Sequence, residues 1–409
     1  MSKSIHFTGQ PVLSQLTKLL PKAKILTITG EHESDRYVKA FTTWNHLITM
    51  LFSAFSKCSG LRELESGMHG FSARLGSTGL THIAPKSTLA DANKRRSCDV
   101  FEAIFKATYL HLHHLLPDSR NQNEEWLQKL LLIDSTTITL FKEIMKAAGR
   151  TPANGKRKGG VKVHIGMKLQ EDVPSVVRIT SSATHDTAFL RHIGRLSSGT
   201  ILVFDKAYVD FKLFNQWTKD GITWVSRLKK RFVVTPVEEI DVDEESKQKG
   251  VVRNQVIELG HSTQKEKVKC RLVTFYDQEK RQTFEFICNN VEQDSLVITQ
   301  IYKQRWQIEL LFKRLKQNFQ IGSFLGDNEN AIKIQIWCTL LADLLIAVIK
   351  KRVRRSMAYS VVAGFIRIHL MNYVNVVELL TKPNNKNLFW DPVEKFQTEI
   401  HFRDPPLVH

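Results

Sequence analysis

Cysteine is scarce in this chain, and the few cysteines are scattered. Five occur among 409 residues, and no two of them have the C-x2-C spacing. Zinc ribbons and the disulfide frameworks of small secreted proteins both need cysteine clusters. The spacing therefore excludes those two classes and fits a reducing cytoplasm. The cysteines are Cys58, Cys98, Cys270, Cys288 and Cys338.

The chain also lacks an apolar leader and a long uninterrupted apolar run. Its N-terminal stretch, MSKSIHFTGQPV, contains no hydrophobic segment of the signal-peptide type. The most apolar stretch, residues 331–349, is interrupted by Lys333, Gln335 and Asp343. These interruptions predict a buried helix rather than a membrane span. We therefore expect a cytoplasmic protein without a membrane partner.

Acidic residues are outnumbered by basic ones. The chain has 41 Asp and Glu against 59 Lys and Arg, which gives a formal charge of +18 and a pI of about 9.6. Solubility alone needs far less charge than this. The excess favours a polyanionic partner, and nucleic acid is the first candidate. The length is enough for two or three domains, each with its own core.

Hydrophobic periodicity divides the chain into a helical beginning and a mixed middle. Up to about residue 85, apolar residues recur at three- and four-residue steps, which is typical of helices. From about 125 to 235, the runs LLLIDSTTI, KVHIGMKLQ, SVVRITSSA and ILVFDKAY are strand-like and are followed by helical patterns. This order predicts a mixed α/β sheet. Further strand-like runs between about 236 and 290 indicate a β-rich insertion.

A basic helix is predicted to run through LADANKRRSCDVFEAIF, with Ser87 as its cap. It would present Asn93, Lys94, Arg95 and Arg96 on one compact polar face. Such a face suits contact with DNA phosphates or base edges. An ordinary solvated helix surface is the alternative.

The most informative stretch runs from Tyr302 to Lys316. It contains no Gly or Pro, and its apolar residues recur at helical spacing, so a single helix is predicted. On a helix that turns about 100° per residue, Tyr302, Arg305, Glu309 and Lys316 lie in one row, with Trp306 beside it. The alternative is a surface helix with a weak Arg305–Glu309 pair.

The spacing Tyr-x2-Arg-x3-Glu-x6-Lys resembles the signature of a family of bacterial insertion-sequence transposases, the DDE group of Tn-type cut-and-paste enzymes. The segments LLIDSTTITLF, FDKAYVDFKLF and IGSFLGDNENAIKIQIWCTLLADLLIAVI resemble that family too. The resemblance covers nearly the whole chain. It implies a ribonuclease-H-like catalytic domain, an N-terminal region that recognises transposon ends, and an insertion before the third carboxylate.

The resemblance also implies a domain order and partners. We expect a helical DNA-end-binding domain at residues 1–120 and a ribonuclease-H-like catalytic domain at 121–349, with the β-rich insertion at about 236–290. A C-terminal helical segment and tail would occupy residues 350–409. The implied partner is double-stranded DNA, both the transposon ends and the target. A homodimer would bind it in the cytoplasm, associated with the nucleoid.

Three carboxylates carry the predicted chemistry. Asp134 and Asp205 each end an apolar run, and carboxylates that follow neighbouring strands converge at one edge of a sheet. With Glu309 they match the catalytic positions of the family. Mg²⁺ prefers such oxygen ligands, and two ions about 3.5–4 Å apart can serve the attacking and leaving oxygens. We expect all three residues to be both catalytic and metal-binding, with Mn²⁺ as a substitute ion.

The other members of the row would bind DNA. Arg305 and Lys316 can hold phosphates, Tyr302 can hydrogen-bond or stack, and Trp306 lies next to them. Asp186 is a further carboxylate; we interpret it as a helix N-cap, with a metal role as the alternative.

One departure from the family concerns aromatic residues. Relatives that cut through a DNA hairpin hold a flipped base with an aromatic wedge from the insertion. No Trp lies between residues 241 and 290 here, and the aromatic residues there are Phe275, Tyr276, Phe284 and Phe286.

The sequence thus predicts a transposase that binds insertion-sequence ends and performs metal-dependent cleavage and strand transfer. A catalytically inactive DNA-binding protein derived from a transposase is the main alternative. A nuclease without a strand-transfer step is the weaker one.

Overall fold

A computed structural model describes residues 9–117, 124–139, 160–261, 264–353 and 355–382. Within them one large sheet has helices packed on both faces, so the predicted mixed α/β class is confirmed. The predicted boundary at residue 120 and the predicted tail beyond residue 382 lie outside the described residues.

The chain begins with helices, several of which follow proline. Pro11, Pro21 and Pro85 directly precede a helix, where a missing backbone N–H leaves no helical hydrogen bond unmade. The helices are α1 (Val12–Thr17), α2 (Lys22–Glu31), α3 (Thr43–Ser56), α4 (Leu61–Gly70), α5 (Ser72–Leu75), α6 (Lys86–Arg95) and α7 (Cys98–Leu112), with short 3-10 turns at Gly76–Thr78 and His113–Leu115.

The single helix predicted after Ser87 is wrong, because the structure has two helices there, α6 and α7. Arg96 between them is extended, with ψ 124°, and ends α6. Ser97 caps α7, since its Oγ accepts a hydrogen bond from the Asp99 N–H at 3.1 Å. Ser87 lies inside α6 and is not its N-cap.

Nine strands of the described chain form one sheet. Their order is β3-β2-β1-β4-β5-β9-β8-β7-β6, in which β1, β4 and β5 are parallel neighbours and the other pairs are antiparallel. The strands are β1 (Leu130–Thr139), β2 (Gly160–Lys168), β3 (Val173–Ser181), β4 (Ile201–Phe204), β5 (Thr223–Arg227), β6 (Val233–Glu239), β7 (Val251–His261), β8 (Gln264–Asp277) and β9 (Gln282–Cys288).

The strands of the β-rich insertion extend the central sheet. β9 pairs antiparallel with β5, with Ser226 opposite Ile287, and β8, β7 and β6 follow outward. The insertion is therefore hydrogen-bonded to β5, the strand next to β4. The short helix α8 (Glu125–Gln128) precedes β1, and the short helices between later strands are α9 (Thr187–Leu190), α10 (Phe211–Lys219) and α11 (Glu244–Gln248).

Alternation along β1 separates two hydrophobic cores. Leu130 and Leu132 belong to the core shared with the N-terminal helices, whereas Leu131 and Ile133 belong to the core under α9 and α10. Because successive side chains of a strand point to opposite faces, β1 is buried on both. The next residue of β1, Asp134, thus follows Leu132 on the face toward the N-terminal helices.

The last helices pack on that same face. They are α12 (Ser295–Lys303), α13 (Trp306–Asn318), α14 (Glu329–Arg352), α15 (Tyr359–Ile368) and α16 (Val376–Thr381). α14 is long and apolar enough to cross a bilayer, but 89% of its most apolar window is buried inside the protein. Its Gln335 donates to the carbonyls of Gln320 and Ser323 and accepts from the Leu325 N–H. α14 is therefore a core helix, as its polar interruptions predicted.

The two ends of the described chain are joined. The buried Gln15 side chain of α1 donates to the Val374 carbonyl at 2.6 Å and accepts from the Val376 N–H at 3.2 Å. The backbone N–H of Val12 donates to the Asn372 carbonyl. The first helix thus docks on the segment that leads into the last one.

A buried ion network holds α13 to its neighbours. Arg314 donates to both carboxylate oxygens of Asp343 on α14, at 3.0 and 2.9 Å. It also donates to the Asp172 side chain at 2.8 Å, and its guanidinium lies 4.5 Å from the ring centre of Tyr359. Asp343 is fully buried. Its charge is stabilised by this bidentate pair, because an isolated buried carboxylate would be far too costly.

Replacing Arg314 with Leu should lower the free energy of unfolding by about 3–5 kcal/mol, because Asp343 is left as an unpaired buried charge. The double variant with Asp343→Leu should recover part of that loss, since no charge then stays buried. Urea denaturation measures both. As a control, Lys106→Gln breaks only the surface pair with Glu102 and should cost under about 1 kcal/mol. A double variant no more stable than Arg314→Leu would contradict this account.

Candidate active site

Two of the predicted carboxylates lie side by side on parallel strands. β1 and β4 are paired with Ile133 opposite Phe204. The residue after Ile133 is Asp134, still within β1, and the residue after Phe204 is Asp205, directly after β4 ends. Neighbouring strands are about 4.8 Å apart, so the two aspartates share one edge of the sheet. The apolar run does end at Asp134, but β1 itself continues to Thr139, beyond the end of that run.

The third carboxylate is brought to the first by an arginine. Arg305 Nη1 donates to Asp134 Oδ2 at 3.1 Å, and its Nη2 donates to Glu309 Oε1 at 2.5 Å. The guanidinium and Asp134 are each 18% exposed. The alternative of a solvated Arg305–Glu309 surface pair therefore does not describe this contact, which joins α13 to β1.

The single helix predicted from Tyr302 to Lys316 is wrong, because Gln304 and Arg305 separate α12 from α13. Here the backbone makes i→i+3 hydrogen bonds: the N–H of Arg305 donates to Tyr302 at 3.0 Å and that of Ile308 to Arg305 at 3.2 Å. Such a tight turn interrupts the α-helical pattern without needing Gly or Pro. Glu309 consequently lies in the first turn of α13, where the helix dipole favours a negative charge.

Two buried donors beside the carboxylates make no hydrogen bond to a described residue. They are the Tyr302 hydroxyl and Arg305 Nε. Tyr302 is only 8% exposed and packs on Phe286, with ring centres 4.9 Å apart. Burial raises the pKa of Tyr302 to about 12, so the phenol keeps its proton at neutral pH. Unpartnered donors this deep suit an added acceptor, such as a phosphate oxygen.

Lys316, the last residue of the row, borders an open groove. Trp306 is 57% exposed at the start of α13. Lys316 is exposed and, together with Lys313, lines a groove of about 410 Å³ that also contacts Asp134 and Glu309. The groove therefore places positive side chains next to the carboxylates.

Burial and neighbouring charges shift the pKa of Asp134. Burial is the main cause that raises the pKa of Asp134 to about 6, and the negative charges of Asp205 and Glu309 raise it further. The Ser135 N–H, 2.8 Å from Asp134 Oδ1, and the Arg305 guanidinium oppose that rise. A cation bound here would favour the ionised carboxylates.

The donor set suits a hard divalent cation, because it consists of carboxylate oxygens. Arg305 is the cation between Asp134 and Glu309 in this structure. In the described part of the chain, no three His, Cys, Asp or Glu side chains converge closely enough to bind one ion. A metal ion shared by these carboxylates would therefore take over the neutralising role of Arg305.

The N-cap interpretation of Asp186 is wrong. Asp186 precedes α9, but its side chain makes no capping hydrogen bond. It accepts instead from Ser135 Oγ at 2.9 Å and Lys162 Nζ at 3.2 Å, and the buried His164 lies 3.8 Å away. Sequence reasoning missed these partners. The alternation of side chains along β1 does place Ser135 on the face opposite Asp134, and that pattern is the signal for a separate contact of Ser135.

The predicted DNA-binding face near residue 95 is only half exposed. Lys94 and Arg95 are exposed, and Arg95 pairs with Asp91 at 2.7 Å. Asn93 is 1% exposed and contacts His46 at 2.8 Å. The predicted surface position is therefore wrong for Asn93.

It is also wrong for Arg96, which is 8% exposed. Arg96 donates to Asp35 at 3.2 Å and to the Phe41 carbonyl at 2.9 Å, and it contacts His46 at 3.0 Å. These partners lie fifty to sixty-one residues earlier in the chain, so the local charge pattern could not reveal the burial.

Substitutions at these positions should separate a structural role from a surface role. Arg96→Ala should lower the free energy of unfolding by about 1–3 kcal/mol, because buried acceptors lose their donor. Lys94→Ala and Arg95→Ala should change it by under about 0.5 kcal/mol. Chemical denaturation measures all three. Equal effects at Arg95 and Arg96 would contradict the described burial.

Comparison with known proteins shows the family of this chain. The family described as "Transposase DDE domain" matches residues 125–345, and "Domain of unknown function (DUF4372)" matches residues 8–81. The chain therefore belongs to the DDE transposases.

The named relatives are described as putative transposases. The putative transposase y4zB of Sinorhizobium fredii is 30% identical over 66% of this chain and 72% of its own length. The putative transposase for insertion sequence element IS4SA of Synechocystis is 25% identical over 70% of this chain and 77% of its own length.

Among solved structures, piggyBac transposase in a synaptic complex with hairpin DNA has a TM-score of 0.44 at 9% identity, covering 96% of this chain and 84% of that one.

Proposed function

We propose that this chain is an active insertion-sequence transposase of the Tyr-Arg-Glu-Lys group, with a ribonuclease-H-like catalytic region. The contact that carries the proposal is the one from Arg305 to both Asp134 and Glu309, beside Asp205. It unites residues 171 positions apart into one acidic site. The strand order β3-β2-β1-β4-β5 supports the fold assignment.

The proposed substrate is double-stranded DNA, first at the ends of the element and then at a target. Asp134, Asp205 and Glu309 would together hold a pair of Mg²⁺ ions, and Mn²⁺ would substitute. When bound, such a pair supplies Lewis acidity to the attacking and leaving oxygens of a phosphodiester. Hydrolysis at the element's end frees a 3′-hydroxyl, and attack of that hydroxyl on target DNA joins the element to its new site.

The chain's own donors would position the DNA. The Tyr302 hydroxyl and Arg305 Nε are buried donors without a partner among the described residues, and they can donate to a phosphate oxygen. Lys316 would hold a neighbouring phosphate along the groove, and the exposed Trp306 ring offers a stacking surface for a base. These residues bind and orient the scissile phosphate while the carboxylates serve the reaction.

We further propose that the helical N-terminal region, residues 1–120, binds the element's ends and that Lys94 and Arg95 are its exposed DNA contacts. The catalytic region would span residues 121–349, including the insertion, and residues 350–409 would complete the chain. The protein would act in the bacterial cytoplasm, associated with the nucleoid.

Glu309→Gln should abolish nicking of a labelled duplex that carries the element's own ends. Removing a residue that only hydrogen-bonds to a metal ligand lowers activity roughly 10–100-fold. The loss of nicking activity in Glu309→Gln should be larger, because a ligand itself is changed. DNA binding should persist, since removing a carboxylate lowers the repulsion of phosphate. Chelation should stop nicking by the native protein, and Mn²⁺ should restore it.

Glu292→Gln is the matched control, because Glu292 is an exposed carboxylate outside the site. Near-normal nicking by Glu309→Gln would refute the catalytic role of Glu309. A native protein that binds the ends without nicking them would support the inactive DNA-binding alternative. Nicking without joining of a supplied 3′-hydroxyl end would support the nuclease alternative.

Joining two ends requires two sites held together, so a homodimer on DNA is proposed. The mass of the complex with paired end duplexes should correspond to two chains. A complex that stays monomeric at saturating DNA would exclude this arrangement.

A further inference from the structure

Four basic residues come from three helices of which α15 packs against both of the others, α3 and α13. Lys313 and Lys316 lie on α13 and line the groove beside Asp134. Lys57, at the end of α3, donates through Nζ to the Gln317 carbonyl at 2.7 Å. Gln317 lines the same groove. The groove therefore continues from the acidic site to the N-terminal helices.

The fourth cation is Arg367, exposed in the last turn of α15. Burial lowers the pKa of Lys57, and the nearby charge of Arg367 lowers it further. Two positive side chains are thus held close enough to repel. Such an arrangement is stabilised when an anion binds between or beside the charges.

Within the part of the chain that the structure describes, none of these four cations pairs with a carboxylate. Other surface cations of the helices do, as in Arg95–Asp91 at 2.7 Å. Glu63, which follows Lys57 in the next helix, accepts instead from the Ser59 N–H and hydroxyl at 2.8 Å. The cluster therefore keeps its positive charge available for a ligand.

The backbone of Lys57 is also unusual. Its φ of 58° lies in the left-handed region, which favours glycine, and it ends α3. The Lys57 ammonium reaches the end of α13, where Gln317 accepts its hydrogen bond. A cation at a helix end is favourable by itself. That effect explains why a single cation lies at a helix end. It does not explain why Lys57 and Arg367 lie close to each other.

We propose that Lys313, Lys316, Lys57 and Arg367 form a phosphate track for the DNA strand that continues beyond the acidic site. The N-terminal helices contribute Lys57 to it, which gives the region matching the domain of unknown function a share in binding DNA next to the reacting phosphate. The ligand is the sugar–phosphate backbone. This inference rests on the proposed function and adds Lys57, Arg367 and Lys313 to the DNA contacts.

The test measures how the affinity for a random-sequence DNA duplex falls with salt. Each phosphate contact contributes about 0.9 to the slope of log affinity against log salt, because binding releases counterions. The double variant Lys57→Gln/Arg367→Gln should therefore lower the slope by about 1.8 and weaken binding most at low salt. The control Lys24→Gln/Lys219→Gln removes the same charge from exposed positions elsewhere and should keep the native slope.

Two further variants separate phosphate binding from helix capping. Arg367→Gln alone leaves the Lys57–Gln317 contact in place and should lower the slope by about 0.9. Lys57→Arg keeps the charge and should keep the native slope, whereas Lys57→Gln should lower it by about 0.9. Native affinity and slope in Arg367→Gln and in the double variant would overturn the track. If the native protein binds DNA without any salt dependence, the proposed function fails together with the track, and this outcome is distinct from loss of the track alone.

Discussion

The guanidinium of Arg305 between two carboxylates is the interaction on which the arrangement of this site depends. Burial raises the pKa of Asp134, and the like charges of Asp205 and Glu309 raise it further, so ionised carboxylates are costly at this place. The parallel pairing of β1 with β4 supplies two of the charges, and the first turn of α13 supplies the third. A positive group at their centre is what makes the cluster tolerable within a folded protein.

The position of Glu309 also depends on the other side of its helix. Arg314 is five residues further along α13, about 140° around the axis, so it points away from the groove. There it is fixed by Asp343 and Asp172. The same helix thus carries a carboxylate toward solvent and a cation toward the core. The buried pair fixes the rotation of α13 about its axis and its position along that axis. These two together determine where Glu309 lies.

Much of this site could be predicted from sequence because its spacing is local. Gln304 and Arg305 break the hydrogen-bond pattern of the helix yet keep helical backbone angles, with φ of −64° and −53°. The row from Tyr302 to Lys316 therefore keeps its spacing despite the break. Short apolar runs likewise revealed β1 and β4, and hence the two aspartates.

The errors concern partners far away in sequence. Asn93 and Arg96 belong to a basic, polar run and look solvated, but His46 and Asp35 draw them inside. Asp186 looks like a cap, but Ser135, fifty-one residues earlier, binds its carboxylate. Polarity along a helix predicts exposure only when no distant group can satisfy the side chain, and a single sequence does not show which group that is.

The junction between the first and last helices constrains how the chain is made. α1 is synthesised first, yet the partners of its buried Gln15 lie at Val374 and Val376. Until those residues leave the ribosome, α1 lacks part of the surface on which it packs. Its apolar residues therefore stay unpacked until translation is almost complete. A copy of the gene truncated near its 3′ end would therefore encode a chain whose beginning, as well as its end, is left without its packing partners.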